Sequence, residues 1–125
     1  MKNNFFNHYV SNIYSNPSAN SEVISQILYG EKFKILSEKK YWIKIKTDFD
    51  KYVGYIKKQN FIQNFKPTNK ICKLKSKIFK KKNNKFLNTN SYLYFGSGIS
   101  IKNQNKKYIE FEKNMWIKKK DTKNI

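Results

Sequence analysis

Ile27-Leu28-Tyr29-Gly30-Glu31-Lys32-Phe33-Lys34-Ile35 has a second version in the chain. Leu93-Tyr94-Phe95-Gly96-Ser97-Gly98-Ile99-Ser100-Ile101 follows the same plan 66 positions later. The offset holds downstream, where Trp42-Ile43-Lys44-Ile45 aligns with Tyr108-Ile109-Glu110-Phe111. Val53-Gly54-Tyr55-Ile56-Lys57-Lys58 has a shorter counterpart in Met115-Trp116-Ile117-Lys118-Lys119, and Ile13-Tyr14 is echoed by Ile78-Phe79. Two copies of one small unit is the economical reading.

Each unit reads as strands. Phe33 and Ile35 alternate with Lys32 and Lys34, and Ile43 and Ile45 with Lys44 and Lys46, the period of a half-buried antiparallel sheet. Ile99 and Ile101, then Ile109 and Phe111, repeat the pattern, and Cys72 and Leu74 alternate with Lys73 and Lys75. Turn residues separate these runs at Asn16-Pro17-Ser18, Gly30-Glu31, Ser37 to Lys40, Asp48-Phe49-Asp50 and Asn83-Asn84. No segment carries a capped helical stripe. The expected fold class is all-β, with short strands and frequent turns that suggest small barrels. Proline and polar residues at Phe65-Lys66-Pro67-Thr68-Asn69 mark a boundary. The expected divisions are a tail over 1–9, a first barrel over 10–64, a linker over 65–70, a second barrel over 71–120 and a tail over 121–125. A barrel of that size buries little of its surface, which suits an accessory module.

Charge and composition bound the function. The 125 residues hold 27 basic and 8 acidic side chains, a formal net charge of +19, and every basic residue is lysine. Such a field attracts phosphates, anionic lipid heads and acidic polymers. Lys, Asn, Ile, Phe and Tyr are all residues of AT-rich codons, so part of the excess is compositional. That drift would raise glutamate as well, and an asymmetry is left over. Eleven lysines face five acidic residues up to position 66, and sixteen face three beyond it. The absence of arginine weakens the case for bidentate recognition of phosphate or guanine, since lysine offers only a point charge.

Cys72 is the single cysteine, which excludes an internal disulfide and any multi-cysteine metal site, and no cofactor is expected. No run approaches the roughly 18–20 apolar residues of a membrane-spanning helix. No secretory leader is readable in residues 1–20, so the expected location is the cytoplasm. Nucleophilic catalysis needs a base beside the nucleophile. Cys72 at a strand position and His8, the only histidine, in a terminal tail do not supply one, so no enzymatic activity is expected.

Val23-Ile24-Ser25-Gln26-Ile27-Leu28-Tyr29-Gly30-Glu31, then Trp42-Ile43-Lys44-Ile45, then Tyr52-Val53-Gly54-Tyr55-Ile56 resemble bacterial SH3 domains. Pro67-Thr68-Asn69-Lys70-Ile71 followed by Ile78-Phe79 is similar to the lead-in of a second, degenerate domain. Together they resemble the N-terminal half of the NlpC-type cell-wall cysteine peptidases that cleave murein peptides. The resemblance implies two tandem SH3-like barrels. The hydrolase of that family, with an Asp-Cys-Ser-Gly-like motif and a downstream histidine, has no counterpart here, and the chain ends about where it would begin. Lys51 and Tyr55 also depart from the usual glycine and tryptophan, and Ser97-Gly98 stand where the first unit has Glu31-Lys32.

The resemblance makes Glu31 and Tyr52 the leading site candidates, because such residues hold the free amine of a murein peptide. A carboxylate pairs with an ammonium group and a phenol completes its hydrogen bonds. The plainer alternative is that Glu31 closes a turn and Tyr52 packs on the barrel. Trp42 is in phase with Lys44 and Lys46, on the polar face, where an indole beside lysines can stack on a sugar or base. Trp42 and Tyr55 complete the candidate ligand-contacting set. Lys80-Lys81-Lys82 and Lys118-Lys119-Lys120 are the densest charge runs, read as solvated turns or as phosphate tracks. The expected function is a non-catalytic module that recognises murein peptide or peptidoglycan, or docks onto a cysteine peptidase domain. The ligand is expected between the barrels or on the Trp42 and Tyr52 face. The alternatives are one part of a split cysteine peptidase and a basic barrel binding RNA or single-stranded DNA.

Overall fold

Alternating isoleucine and lysine give the chain a series of strands with one greasy and one charged face, and these assemble into antiparallel sheets. The computed structural model describes residues 3–125, which divide into two units between Phe65 and Lys66. The first holds β1 (Asn3–Phe5), β2 (Val10–Tyr14), β3 (Val23–Leu28), β4 (Lys32–Glu38), β5 (Trp42–Thr47) and β6 (Val53–Lys57). They form one antiparallel sheet in the order β1-β4-β5-β6-β2-β3. The inward residues Phe6, Ile13, Ile27, Phe33, Ile43, Ile45 and Ile56 make a single buried cluster. Each such side chain contributes roughly 1.5–3 kcal/mol through burial. Gly54 lets β6 cross β2 closely, since a Cβ there would meet Ile13 Cγ2 at 2.6 Å and the Tyr14 carbonyl oxygen at 2.7 Å.

The second unit holds β7 (Asn69–Ile71), β8 (Lys75–Lys82), β9 (Lys85–Tyr94), β10 (Gly98–Ile99), β11 (Asn103–Gln104), β12 (Tyr108–Glu112), β13 (Met115–Lys118) and β14 (Thr122–Asn124), with one 3-10 turn at Lys119–Asp121. Its sheets run β11-β12-β13-β8-β9 and β10-β7-β14. Ile71, Ile78, Leu93, Ile99, Ile109, Phe111, Trp116 and Ile117 are buried. β8 and β9 meet at a two-residue turn, Asn83-Asn84, whose φ values of 51° and 63° are those that a tight hairpin demands.

Neighbour for neighbour, the pairings agree. β1 on β4, β4 on β5, β5 on β6, β6 on β2 and β2 on β3 have counterparts in β7 on β10, β11 on β12, β12 on β13, β13 on β8 and β8 on β9. The fourth strand of the first unit carries a bulge between Ile35 and Ser37; in the second unit, the chain between Ile99 and Asn103 leaves the ladder, giving two strands instead of one.

Four sequence expectations are corrected. Of the expected tail over 1–9, residues 1–2 lie outside the described residues and the rest is not a tail: β1 pairs with β4, Phe5 bonds Ile62, and Phe6 is buried. Residues 121–125 are not a tail either, because β14 pairs with β7 and the Ile125 N–H reaches the Thr68 carbonyl at 3.0 Å. Asn69 and Lys70, assigned to the linker, belong to β7. Cys72 and Leu74 do not alternate in a strand. The chain bends there, Leu74 is 88% exposed, and the Leu74 carbonyl turns to accept from Phe95.

Candidate functional site

The four candidate residues separate into two groups within the first unit. Glu31 closes the turn between β3 and β4, where Gly30 has a φ of 78° and its N–H bonds the Phe6 carbonyl at 2.7 Å. The Glu31 carboxylate accepts the Leu28 N–H at 3.2 Å, while the Glu31 N–H bonds the Leu28 carbonyl at 3.0 Å. Burial pushes the Glu31 carboxyl above its ordinary range, the Leu28 N–H pulls it down, and the Asp50 carboxylate pushes it up. Asp50 belongs to the hairpin between β5 and β6. Its oxygen accepts from the buried Thr47 hydroxyl at 2.6 Å, and the same hydroxyl oxygen accepts the Tyr52 N–H at 2.9 Å. Asp48, beside it, has Lys32 at 3.7 Å and Lys51 at 3.9 Å. Glu31 and the Tyr52 hairpin therefore meet at one end of the unit, in an acidic spot of a strongly basic protein.

The second unit builds the same turn without a charge. Ser97 stands where Glu31 does, its hydroxyl accepts the Tyr94 N–H at 3.3 Å, and its own N–H bonds the Tyr94 carbonyl at 2.9 Å. Gly96 has a φ of 91° and bonds the Ile71 carbonyl at 3.0 Å. A serine hydroxyl suffices for the turn, so the carboxylate of Glu31 exceeds what turn closure needs.

Trp42 and Tyr55 lie at the other group. Tyr55 is paired with Tyr14 on one side and Lys44 on the other, and Trp42 with Lys57, so these side chains share the outer face of the sheet. The Trp42 ring meets Tyr14 edge-on at 5.6 Å, and the Lys39 ammonium lies 5.9 Å from the Tyr55 ring centre. An open concavity of about 460 Å³, lined by Lys40, Tyr41, Trp42, Lys57 and Lys58, adjoins this face. Tyr52 is not on it. Its phase is that of Gly54 and Ile56, and it sits beyond the end of β6, largely exposed.

The matching face of the second unit is covered. Tyr108 and Trp116 take the places of Trp42 and Tyr55, and Phe79 meets Tyr108 edge-on at 5.7 Å as Tyr14 meets Trp42. Phe86, carried in by the longer hairpin, stacks on Tyr108 at 3.8 Å and meets Trp116 at 5.5 Å. Among the described residues no third ring bridges Trp42 and Tyr55. Sequence reasoning missed Phe86, whose role appears only once β9 is in register with β8.

Cys72 and His8 fall in different units. The Cys72 N–H bonds the Asp121 carbonyl, and the exposed His8 ring lies 5.6 Å from Phe6. Among the described residues no cluster of three or more metal-ligating side chains forms, and no helix is long and apolar enough to cross a membrane.

Comparison with known proteins agrees with this architecture. Residues 9–61 match the family model described as "Bacterial SH3 domain". No curated protein matches the chain. Among solved structures, an NlpC/P60 family protein from Bacillus cereus ATCC 10987 is similar with a TM-score of 0.74 and 10% sequence identity. The likeness covers 99% of this chain and 56% of that one, so the chain spans little more than half the length of its structural neighbour. The fold is all-β and SH3-like, and the matched model is that of a bacterial SH3 domain.

Proposed function

We propose that the chain is a non-catalytic recognition module built from two copies of one SH3-like plan, which binds a cell-wall peptide through a free amine at the Glu31 end. The contrast between Glu31 and Ser97 carries this reading. Where the turn alone matters a serine serves, and where Glu31 stands a carboxylate is drawn partly out of water beside Asp50. An ammonium group there would relieve both the desolvation and the repulsion, and the phenol of Tyr52, on the hairpin that carries Asp50, would complete its hydrogen bonds. The bacterial SH3 match over residues 9–61 and the likeness to an NlpC/P60 protein support murein peptide as the ligand class. The neighbour's greater length supports a second reading, in which the module works with a cysteine peptidase domain as its partner.

The test is titration of the labelled chain with a murein peptide bearing a free N-terminal amine, followed by nuclear magnetic resonance. Shifts are expected at residues 28–31 and 48–52, lost when the amine is acetylated and lost in Glu31→Ser, which keeps the turn. Binding that ignores both acetylation and Glu31→Ser would refute the amine site.

A further inference from the structure

The concavity beside Trp42 has a twin in the second unit. Lys106, Lys107, Tyr108, Lys118, Lys119 and Lys120 line a concavity of about 580 Å³. The first five stand, position for position, where Lys40, Tyr41, Trp42, Lys57 and Lys58 stand in the first unit. The same backbone bonds build both. The Lys119 N–H reaches the Lys107 carbonyl at 2.8 Å, as Lys58 reaches Tyr41 at 2.9 Å. The Asn105 N–H reaches the Tyr108 carbonyl at 3.0 Å, as Lys39 reaches Trp42 at 2.8 Å. Asn105 also accepts the Lys107 and Tyr108 N–H groups at 2.9 and 2.8 Å, fixing the corner that carries Lys106 and Lys107. The backbone thus gathers the lysines, and their side chains are left to act on what arrives.

Among the described residues no carboxylate forms an ion pair with the lysines of the second concavity. Lys58 in the first unit has Glu38 at 4.0 Å, whereas the ion pairs among the described residues all lie in the first unit. The second unit has three acidic residues, of which Glu110 accepts from the Asn114 N–H and Asp121 from the Ser76 hydroxyl. Five ammonium groups around one hollow repel each other, and an anion entering it removes that repulsion.

The lining also says which anion. Lysine heads are point charges that meet phosphate oxygens from many directions and read no planar group. Tyr108 is the one ring in the lining; it is half-buried, with Phe86 stacked on one face and Phe79 against it edge-on, which leaves little ring for stacking a base. A hollow of this volume exceeds a single phosphate and lies in the range of ordinary ligand sites. We infer that the concavity formed by Lys106, Lys107, Lys118, Lys119 and Lys120 binds the phosphodiester groups of a base-free, polyol-phosphate chain. The Trp42 concavity, with three lysines and one of them paired to Glu38, is its weaker copy.

The experiment uses the full chain and two fluorescent probes of equal length and charge, an abasic deoxyribose-phosphate strand and an oligo(dT). Both are expected to bind within about threefold of each other, with affinity falling steeply between about 50 and 200 mM salt. Lys106→Gln/Lys107→Gln/Lys120→Gln changes only exposed side chains. It is expected to lose at least about fivefold more affinity than Lys73→Gln/Lys77→Gln/Lys113→Gln, which removes the same charge from exposed positions elsewhere in the unit. Arginine at the first three positions should restore binding. Equal losses in the two triple variants would mean a diffuse field and overturn the site. Oligo(dT) bound about tenfold more tightly than the abasic strand would mean that bases are read, and that overturns the ligand class. No binding of either probe at the lower salt overturns both.

Discussion

At the turn before its fourth strand the first unit has Glu31, and at the matching turn the second has Ser97. At the outer face the first unit leaves Trp42 and Tyr55 open, while the second lays Phe86 over Tyr108 and Trp116. Inside, the two agree: Ile13 with Ile78, Ile27 with Leu93, Ile43 with Ile109, and Ile45 with Phe111 are buried alike. The interior is held by packing, which tolerates only apolar side chains of similar volume. The rim of the barrel is free to change, and there one unit has acquired an acidic end and the other a basic hollow. One plan thus presents two chemistries.

Three substitutions probe how far the likeness extends. The largest effect is expected from Gly54→Ala, whose position in the second unit is Met115. The new Cβ would strike the Tyr14 carbonyl oxygen, which cannot move aside, and should cost about 3 kcal/mol. Each unit holds one tryptophan, so denaturation read separately through Trp42 and Trp116 tells them apart. The Trp42 transition should fall and the Trp116 transition stay; equal shifts in both would deny that the glycine acts within its own unit.

Second is Ser97→Glu, which gives the second unit the first unit's residue. Ser97 is fully buried, so the carboxylate enters without water and should cost about 2 kcal/mol at neutral pH. The loss should shrink as acid protonates the group. A variant as stable as the parent at neutral pH would show that the two turns are interchangeable after all.

The smallest effect concerns Glu31 itself. Its folded-state acidity is weakened, so its stabilising contribution is complete below the ordinary carboxylate range and is lost as pH rises through the raised value. Glu31→Gln keeps an acceptor for Leu28 and should therefore be slightly more stable than the parent above that range. The gain should be under about 1 kcal/mol, because the carboxylate still touches water. The denaturation midpoint of the variant minus that of the parent should grow between pH 4 and 7, and a shrinking difference would contradict the burial of Glu31.

Much of this was legible in the alternation of Phe33, Ile35, Ile43 and Ile45 with lysines, which fixes both strand type and inward face. The turn at Asn83-Asn84 was legible for the same local reason. β1 was not, because Asn3-Asn4-Phe5 has no alternation and owes its strand to a partner some thirty residues away. Leu74 misled in the opposite sense, since its spacing imitates a strand that the backbone bonds of Ile71 and Leu74 interrupt. The phase of Trp42 correctly put it on the outer face. Tyr52, expected on the same face, lies beyond β6 at the opposite end of the strand, beside Glu31's turn. The two concavities were out of reach, as each joins the corner before one strand to the end of the next, and only register reveals such neighbours.

The hairpin of β8 and β9 has a further consequence, for the order of events in time. A two-residue turn whose asparagines already favour its dihedral angles lets a hairpin close in about 1–10 μs. The matching hairpin of the first unit joins β2 to β3 through an eight-residue loop, whose closure is entropically slower. Two sheets of one topology, side by side in a chain, are at risk of exchanging strands while both are unformed. A β8–β9 hairpin that closes early leaves the first unit fewer foreign strands to choose from.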